Sequence, residues 1–119
     1  MSSDEVTLFD KIVSGVIPSS KVFEDEVVLA FKDISPVAPV HVLLIPKNRD
    51  GLSRLSKANE SHKELLGHMM VSVPKVAAAC GLEDYRVVIN DGAGAGQTVF
   101  HLHMHIIGGD TCKFKWPPV

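Results

Sequence analysis

Three histidines alternate with apolar residues in His101-Leu102-His103-Met104-His105-Ile106-Ile107. A row of imidazoles can bind a metal, move protons or attack an electrophile. The alternation makes such a row in extended chain, where residues two apart share a face. A strand here presents His101, His103 and His105 on one side and Leu102, Met104 and Ile106 on the other. A helix would set neighbouring histidines of the row about 200° apart and keep them from acting together.

Three uses of that row compete. Histidines at i and i+2 on a strand with a third beside them suit zinc. Burial with ordinary hydrogen bonds is the plainest reading. The third is phosphoryl chemistry, and the preceding segment favours it. Asp91-Gly92-Ala93-Gly94-Ala95-Gly96-Gln97-Thr98 is a glycine-rich loop ending in a hydroxyl. Glycines permit close backbone approach and positive φ, and amides in such a loop can cradle an anion. A phosphate beside neutral imidazoles points to nucleophilic transfer through a phospho-histidine type intermediate. Neighbouring donors would steady the phosphoryl oxygens.

The remaining elements must position this row. Thr7 to Val16 reads as a short helix, because Leu8, Phe9, Ile12, Val13 and Val16 recur at helical spacing before Pro18. Lys21 to Glu24 and Val27 to Lys32 read as a hairpin about Asp25-Glu26. Asp33 to Pro39 is an extended, proline-broken link. Val40 to Ile45 is a third strand with His41 near its start. A long helix is expected over Ser61 to Cys80, with Ser61 and Glu64 as a capping box and Gly81 just beyond its end. Pro74 should kink or break it. His62 and His68 on this helix are expected to be solvated surface residues. Asp84 to Asn90 is the fourth strand and the histidine row the fifth. These connections suit an α+β domain, an antiparallel sheet with its helices on one side.

The 119 residues suit one domain, with 1–6 frayed and 7–119 folded. A composition of 45% apolar and 22% charged residues is that of a globular protein. A net charge of −2 without a basic block argues against binding long nucleic acid. No apolar run approaches membrane-spanning length, and the polar N-terminus is no signal peptide. Cys80 and Cys112 lack metal-ligand spacing and read as reduced thiols, which implies a reducing, cytoplasmic compartment, with the nucleus also open.

The motif His-φ-His-φ-His-φ-φ, with φ apolar, resembles that of the histidine-triad family. Colinear matches bring the chain close to the Hint branch, the nucleoside phosphoramidases. They include Phe9 to Ile12, Ile17-Pro18, Asp33-Ile34-Ser35-Pro36, His41, Ile45-Pro46-Lys47, Leu66-Gly67-His68, Gly96-Gln97, Gly108-Gly109 and Trp116-Pro117-Pro118. The resemblance implies a five-stranded antiparallel sheet with one long and one short helix. It also implies a homodimer whose two sheets join into one of ten strands. The implied activity is hydrolysis of purine nucleoside 5′-phosphoramidates, or of acyl-adenylates, without metal or other cofactor.

By position, the resemblance makes His103 the nucleophile. His105 and Thr98 would contact phosphoryl oxygens or the leaving group, and His101 and His41 would orient the row. Asp33 would accept from the ribose. Ile34, with Phe9, Ile12, Ile17 and Phe31, would sandwich the base. Asn90 and the amides of Gly96, Gln97 and Thr98 would hold ribose and phosphate, and Trp116 would reach the leaving-group side. Thr98 stands where Hint-type sequences commonly have serine. Two rivals accompany this reading: a dinucleoside polyphosphate hydrolase of the Fhit type, and a nucleotide-binding scaffold with incidental catalysis.

Overall fold

The computed structural model describes residues 5–109. Its sheet has five antiparallel strands in the order β1-β2-β3-β5-β4. They are β1 (Lys21–Glu24), β2 (Val28–Lys32), β3 (Val40–Pro46), β4 (Tyr85–Val88) and β5 (Met104–Gly108). Two α-helices accompany them, α1 (Leu8–Val13) and α2 (Lys63–Ala79), with short 3-10 turns in the connections. This is the expected α+β architecture with one long and one short helix. Strand β5 lies between β3 and β4, so the last strand of the chain enters the middle of the sheet and carries His105 there.

The helices do not share one side of the sheet. On one face, α2 covers Val28, Ala30, Val42, Leu44, Met104 and Ile106 with Met69, Val73 and Val76. On the other, Phe9 and Ile12 of α1 pack on Leu29, Phe31, Leu43 and Ile45. The reason is visible in β2 and β3, whose residues form nearly continuous buried runs. Two apolar faces need two covers. Helix α1 covers only part of its face, and the histidine row lies on that same side.

Helix α2 begins differently from expectation. Asn59, not Ser61, makes the cap, accepting from the Ser61 amide at the head of a 3-10 turn, Glu60–His62. Ser61 lies inside that turn, and its hydroxyl donates to Asn59 Oδ1 at 2.6 Å instead of capping the helix. His62 is buried, not solvated. Its Nδ1 accepts from the Asn59 amide and its Nε2 donates to the Asp50 carbonyl. His68 is half-buried and reaches Asp25 at 2.8 Å. Pro74 neither ends nor interrupts α2, which runs from 63 to 79. Pro74 and Met70, whose carbonyl loses a partner to the proline, lie on the exposed side, where water can satisfy that carbonyl. The helix closes as expected: Gly81 at φ +70°, with the Leu82 amide on the Ala77 carbonyl and the Gly81 amide on that of Ala78.

Candidate active site

The five strands bring His41 and His105 together, because Leu43 lies opposite His105 and His41 opposite Ile107. Side chains from odd positions of β3 and β5 therefore share the α1 side of the sheet. The regular strand, however, begins only at Met104. His101 and His103 precede it in extended chain that keeps the alternation without the ladder. Leu102, Met104 and Ile106 enter the α2-side core, as the sequence pattern requires. The rings of His103 and His105 stand 5.1 Å apart, and Phe9 meets His101 and His103 edge-on at 5.8 and 5.0 Å.

Hydrogen bonds decide which nitrogen of each ring carries the proton. His103 Nδ1 is 2.7 Å from the His101 carbonyl, which only accepts. Nδ1 therefore donates, and the lone pair is on Nε2. The Val37 amide donates to His41 Nδ1 at 3.2 Å, so the His41 proton is on Nε2. That proton points at His105 Nδ1, 2.9 Å away, with Asp33 Oδ2 at 3.4 Å from the same nitrogen. His105 accepts at Nδ1 and so carries its proton on Nε2, which has no partner among the described residues. His101 is 0% exposed; its Nε2 donates to the Pro46 carbonyl and its Nδ1 faces the Thr7 hydroxyl at 3.3 Å.

Burial keeps these rings neutral. It lowers His41, opposed by the Asp33 carboxylate. It lowers His101 and His103, opposed in each by a backbone carbonyl acceptor and by an aspartate. His105 falls furthest, to about 4, because burial is joined by repulsion from His103 and His41.

The row opens on a cleft of about 770 Å³. Phe9, Ile12, Ile17, Phe31, Asp33, Ile34, Thr98, His103 and His105 line it, as the sequence suggested. Its lining is mostly apolar, and the Asp33 carboxylate, the Thr98 hydroxyl and the two imidazoles supply polar groups. Ile34 is 96% exposed, so it stands at the mouth with nothing packed on it. His41 and His101 are not part of the cleft wall.

Asn90, Gly96 and Gln97 are also outside that wall. Gln97 is buried, accepting from the Gly92 amide at 2.8 Å and donating to the Ser53 and Val99 carbonyls. It braces the glycine-rich loop from inside. The Gly96 and Gln97 amides donate to Ala93 and Gly92 carbonyls within the loop. The Thr98 amide, among the described residues, has no such partner. Trp116 and Cys112 lie outside the described residues.

Several contributors escaped the sequence reading. Leu43 lines the cleft, and its two-residue offset from His41 was a usable signal. The Val37 amide and Pro46 carbonyl are backbone groups with no signature. Thr7 and Asp10 form a capping box legible as such, but their contact with His101, more than 90 positions away, was not.

Asp33, His41 and His105 offer three ligand atoms that lie within 4.8 Å of one another. The spacing suits a metal but the protonation does not. A ligand at His41 Nε2 must be a bare lone pair, with the proton moved to Nδ1. There it would face the Val37 amide, donor against donor. The row is better matched to protons than to an ion.

A buried row of neutral imidazoles thus borders a cleft lined by apolar side chains and one carboxylate. The chain belongs to the HIT-domain family, whose model matches residues 14–112. It is 55% identical to the adenylylsulfatase HINT1 of Arabidopsis thaliana over 98% of this chain and 78% of that protein. It is 53% identical to a 14 kDa zinc-binding protein of Zea mays, over 97% of this chain and 89% of that one. The crystal structure of a HIT family hydrolase from Legionella pneumophila superposes with a TM-score of 0.86 at 42% identity, covering 96% of this chain and all of that one.

Proposed function

We propose that the protein hydrolyses purine nucleoside 5′-phosphoramidates to the nucleoside monophosphate and an amine. The observation that carries this reading is the 2.7 Å bond from His103 Nδ1 to the His101 carbonyl, which leaves Nε2 as a neutral nucleophile. The Nε2 lone pair forms a bond to the α-phosphorus. The phosphorus–nitrogen bond breaks, and its electron pair leaves on the amine, which takes a proton. Water then attacks phosphorus, the bond to His103 breaks, and the lone pair returns to Nε2 as water gives up its proton.

The site groups suit these steps. His105 Nε2–H is a buried donor with no partner among the described residues, suited to donate to a phosphoryl oxygen, and the Thr98 hydroxyl is a second. Asp33 accepts from the ribose hydroxyls, and Phe9, Ile12, Ile17, Phe31 and Ile34 enclose the base. The name of the Arabidopsis relative adds sulfate as a leaving group the same attack could expel from an adenylate, in parallel with an acyl group. No residue role in this scheme requires a metal.

The active form proposed is a homodimer with a continuous ten-stranded sheet. Two features support it: β4 is an edge strand, and Met70 and Val71 of α2 are exposed apolar side chains. The proposed location is cytoplasmic. The test of the reaction is to mix the protein with an adenosine 5′-phosphoramidate, quench, and map the adduct. An adenylyl group on His103 supports the reading. Faster cleavage of a diadenosine polyphosphate than of the phosphoramidate would favour the dinucleoside polyphosphate reading instead.

A further inference from the structure

The nucleophile lies in a stretch that the sheet does not hold. The β3–β5 ladder ends at the Leu44–Met104 pair, and residues 101–103 continue beyond it. Their backbone has one anchor of its own, the Leu102 amide on the Leu52 carbonyl at 2.9 Å. Yet this stretch supplies both the His103 ring and the carbonyl that sets its tautomer. Something else must fix it.

The other anchors are side chains, and they converge on the first turn of α1. Arg49 is 8% exposed and donates to the Phe100 carbonyl at 3.1 Å and to the Glu5 carbonyl. Its guanidinium is also 3.7 Å from Asp10 Oδ2. Asp10 accepts the Thr7 amide at 2.8 Å and lies 3.2 Å from the Thr7 hydroxyl. Its other oxygen, Oδ1, is 3.4 Å from His101 Nδ1, which Thr7 Oγ1 also approaches at 3.3 Å. The Pro46 carbonyl holds the opposite nitrogen of that ring at 2.8 Å. His101 is thus held at both nitrogens: Nε2 donates to β3, and the bare Nδ1 faces the Thr7 hydroxyl, the donor on the α1 side, which Asp10 keeps in place by accepting the Thr7 amide.

We propose that Asp10 is a positioning residue for the reaction: with Thr7 and Arg49 it clamps the His101 ring and so holds the His101 carbonyl against the His103 Nδ1–H. The inference rests on His103 being the nucleophile. Asp10 is not among the residues that line the cleft. The capping box of α1 therefore does two jobs. It starts the helix whose Phe9 and Ile12 line the cleft, and it aims the Thr7 hydroxyl at His101 Nδ1.

Asp10→Ala tests the clamp, because it removes the acceptor that holds Thr7 and the carboxylate beside Arg49. The kinetic readout uses adenosine 5′-phosphoramidate, and 15N-resolved NMR reports the imidazole tautomers. We expect kcat to fall about tenfold with KM nearly unchanged, a loss typical of slight misplacement of a reacting group. The His103 Nδ1–H resonance should move or weaken in parallel. An unmoved resonance overturns the proposal, and so does a moved resonance with unaltered kcat. Should the wild type not cleave the phosphoramidate at all, the nucleophile reading fails, and the resonance alone judges the clamp. Thr7→Val and Thr7→Ser give a second pair should Asp10→Ala not fold. Serine, which keeps the hydroxyl, is expected to lose much less kcat than valine, and equal values for the two overturn the proposal.

Discussion

His41 Nε2 donates to His105 Nδ1 across 2.9 Å, and the Val37 amide on the far nitrogen of His41 fixes the direction of that bond. One backbone amide in the 33–39 link thereby sets the proton on His105 Nε2. His41→Ala removes the donor and one source of repulsion. His105 is expected to titrate above about 4, the value to which burial, His103 and His41 together depress it. Its ring would also be free to change tautomer, so turnover should fall by about one to two orders of magnitude, the usual effect of losing a group that orients a donor. NMR titration of the His105 ring checks this, and an unchanged midpoint would sink it.

His103→Ala should abolish turnover, with a loss of about a thousandfold or more, because no other ring in the row combines a free lone pair with a place in the cleft. Binding of the nucleoside monophosphate should survive. The base-facing residues and Asp33 are untouched, and calorimetry with AMP should give an affinity near that of wild type. Full activity in this variant would end the covalent scheme.

The pH dependence follows from the direction of the shifts. His41, His101, His103 and His105 all have folded pKa values below the ordinary 6.5. Between that value and the lowered ones, the unfolded chain binds more protons than the folded one, so stability rises with pH there. The fold should hold its full stability above about 6.5 and lose it as the pH falls towards 4. Asp25 adds a second acid loss below that. Burial alone would raise it, but the amides of Val28 and Val27, with His68, bring it to about 2. Its contribution is present above the ordinary carboxylate value of 3.8 and fades as the pH falls towards 2. Thermal unfolding across this range measures both phases. Turnover should stay flat down through pH 7, because the nucleophile is already neutral there.

The fold class was legible because periodicity survives from sequence to structure. The odd–even alternation at 101–106 sorts six side chains onto two faces although three of the positions lie outside the ladder. The second face of the sheet was harder to read. Val42, Leu43, Leu44 and Ile45 form an unbroken apolar run, which fits a two-sided strand but does not say which helix covers which side. Capping was half-read: Gly81 stands where its φ requires, whereas Ser61 lost the cap to Asn59 two residues earlier. Asp33 and Thr98, singled out from the sequence, line the cleft with their side chains. Groups that act through the backbone, such as Val37 and Pro46, left no mark in the sequence. Gln97 looked like a ligand residue, but its carboxamide is engaged by three backbone groups.

The dimer is testable at α2. Val71 is 63% exposed and Met70 53%, an exposed apolar pair on α2. Val71→Asp places a charge that would have to be desolvated in a dimer and costs nothing comparable in a monomer. Light scattering after size exclusion should show the wild type as a dimer and the variant shifted to monomer. A monomeric wild type would remove the ten-stranded sheet from the proposal.

The glycine-rich loop carries a last, purely steric expectation. Gly92 has φ +98°, and a Cβ there would lie 2.5 Å from Arg54 Nη2 and 2.8 Å from its Cζ. Arg54 cannot simply swing away without loss, because it donates to the Asp91 side chain at 2.9 Å and to the Asp91 carbonyl at 3.1 Å. Gly92→Ala therefore combines positive-φ strain of about 1–2 kcal/mol with the loss of the Arg54 contacts. The same residue offers its amide to Gln97 and its carbonyl to Ala95 and Gln97, so the damage reaches the turn that delivers Thr98. Denaturant unfolding should show a loss of about 2 kcal/mol. The KM for a phosphoramidate should rise more than kcat falls, because the loop edge displaced by the substitution carries a binding hydroxyl rather than the nucleophile. Gly94→Ala is the control: it lies in the same loop, has no positive φ, and an added Cβ meets nothing within 4 Å. Equal losses for the two substitutions would show that the loop's flexibility, and not the close approach of Arg54, is what Gly92 supplies.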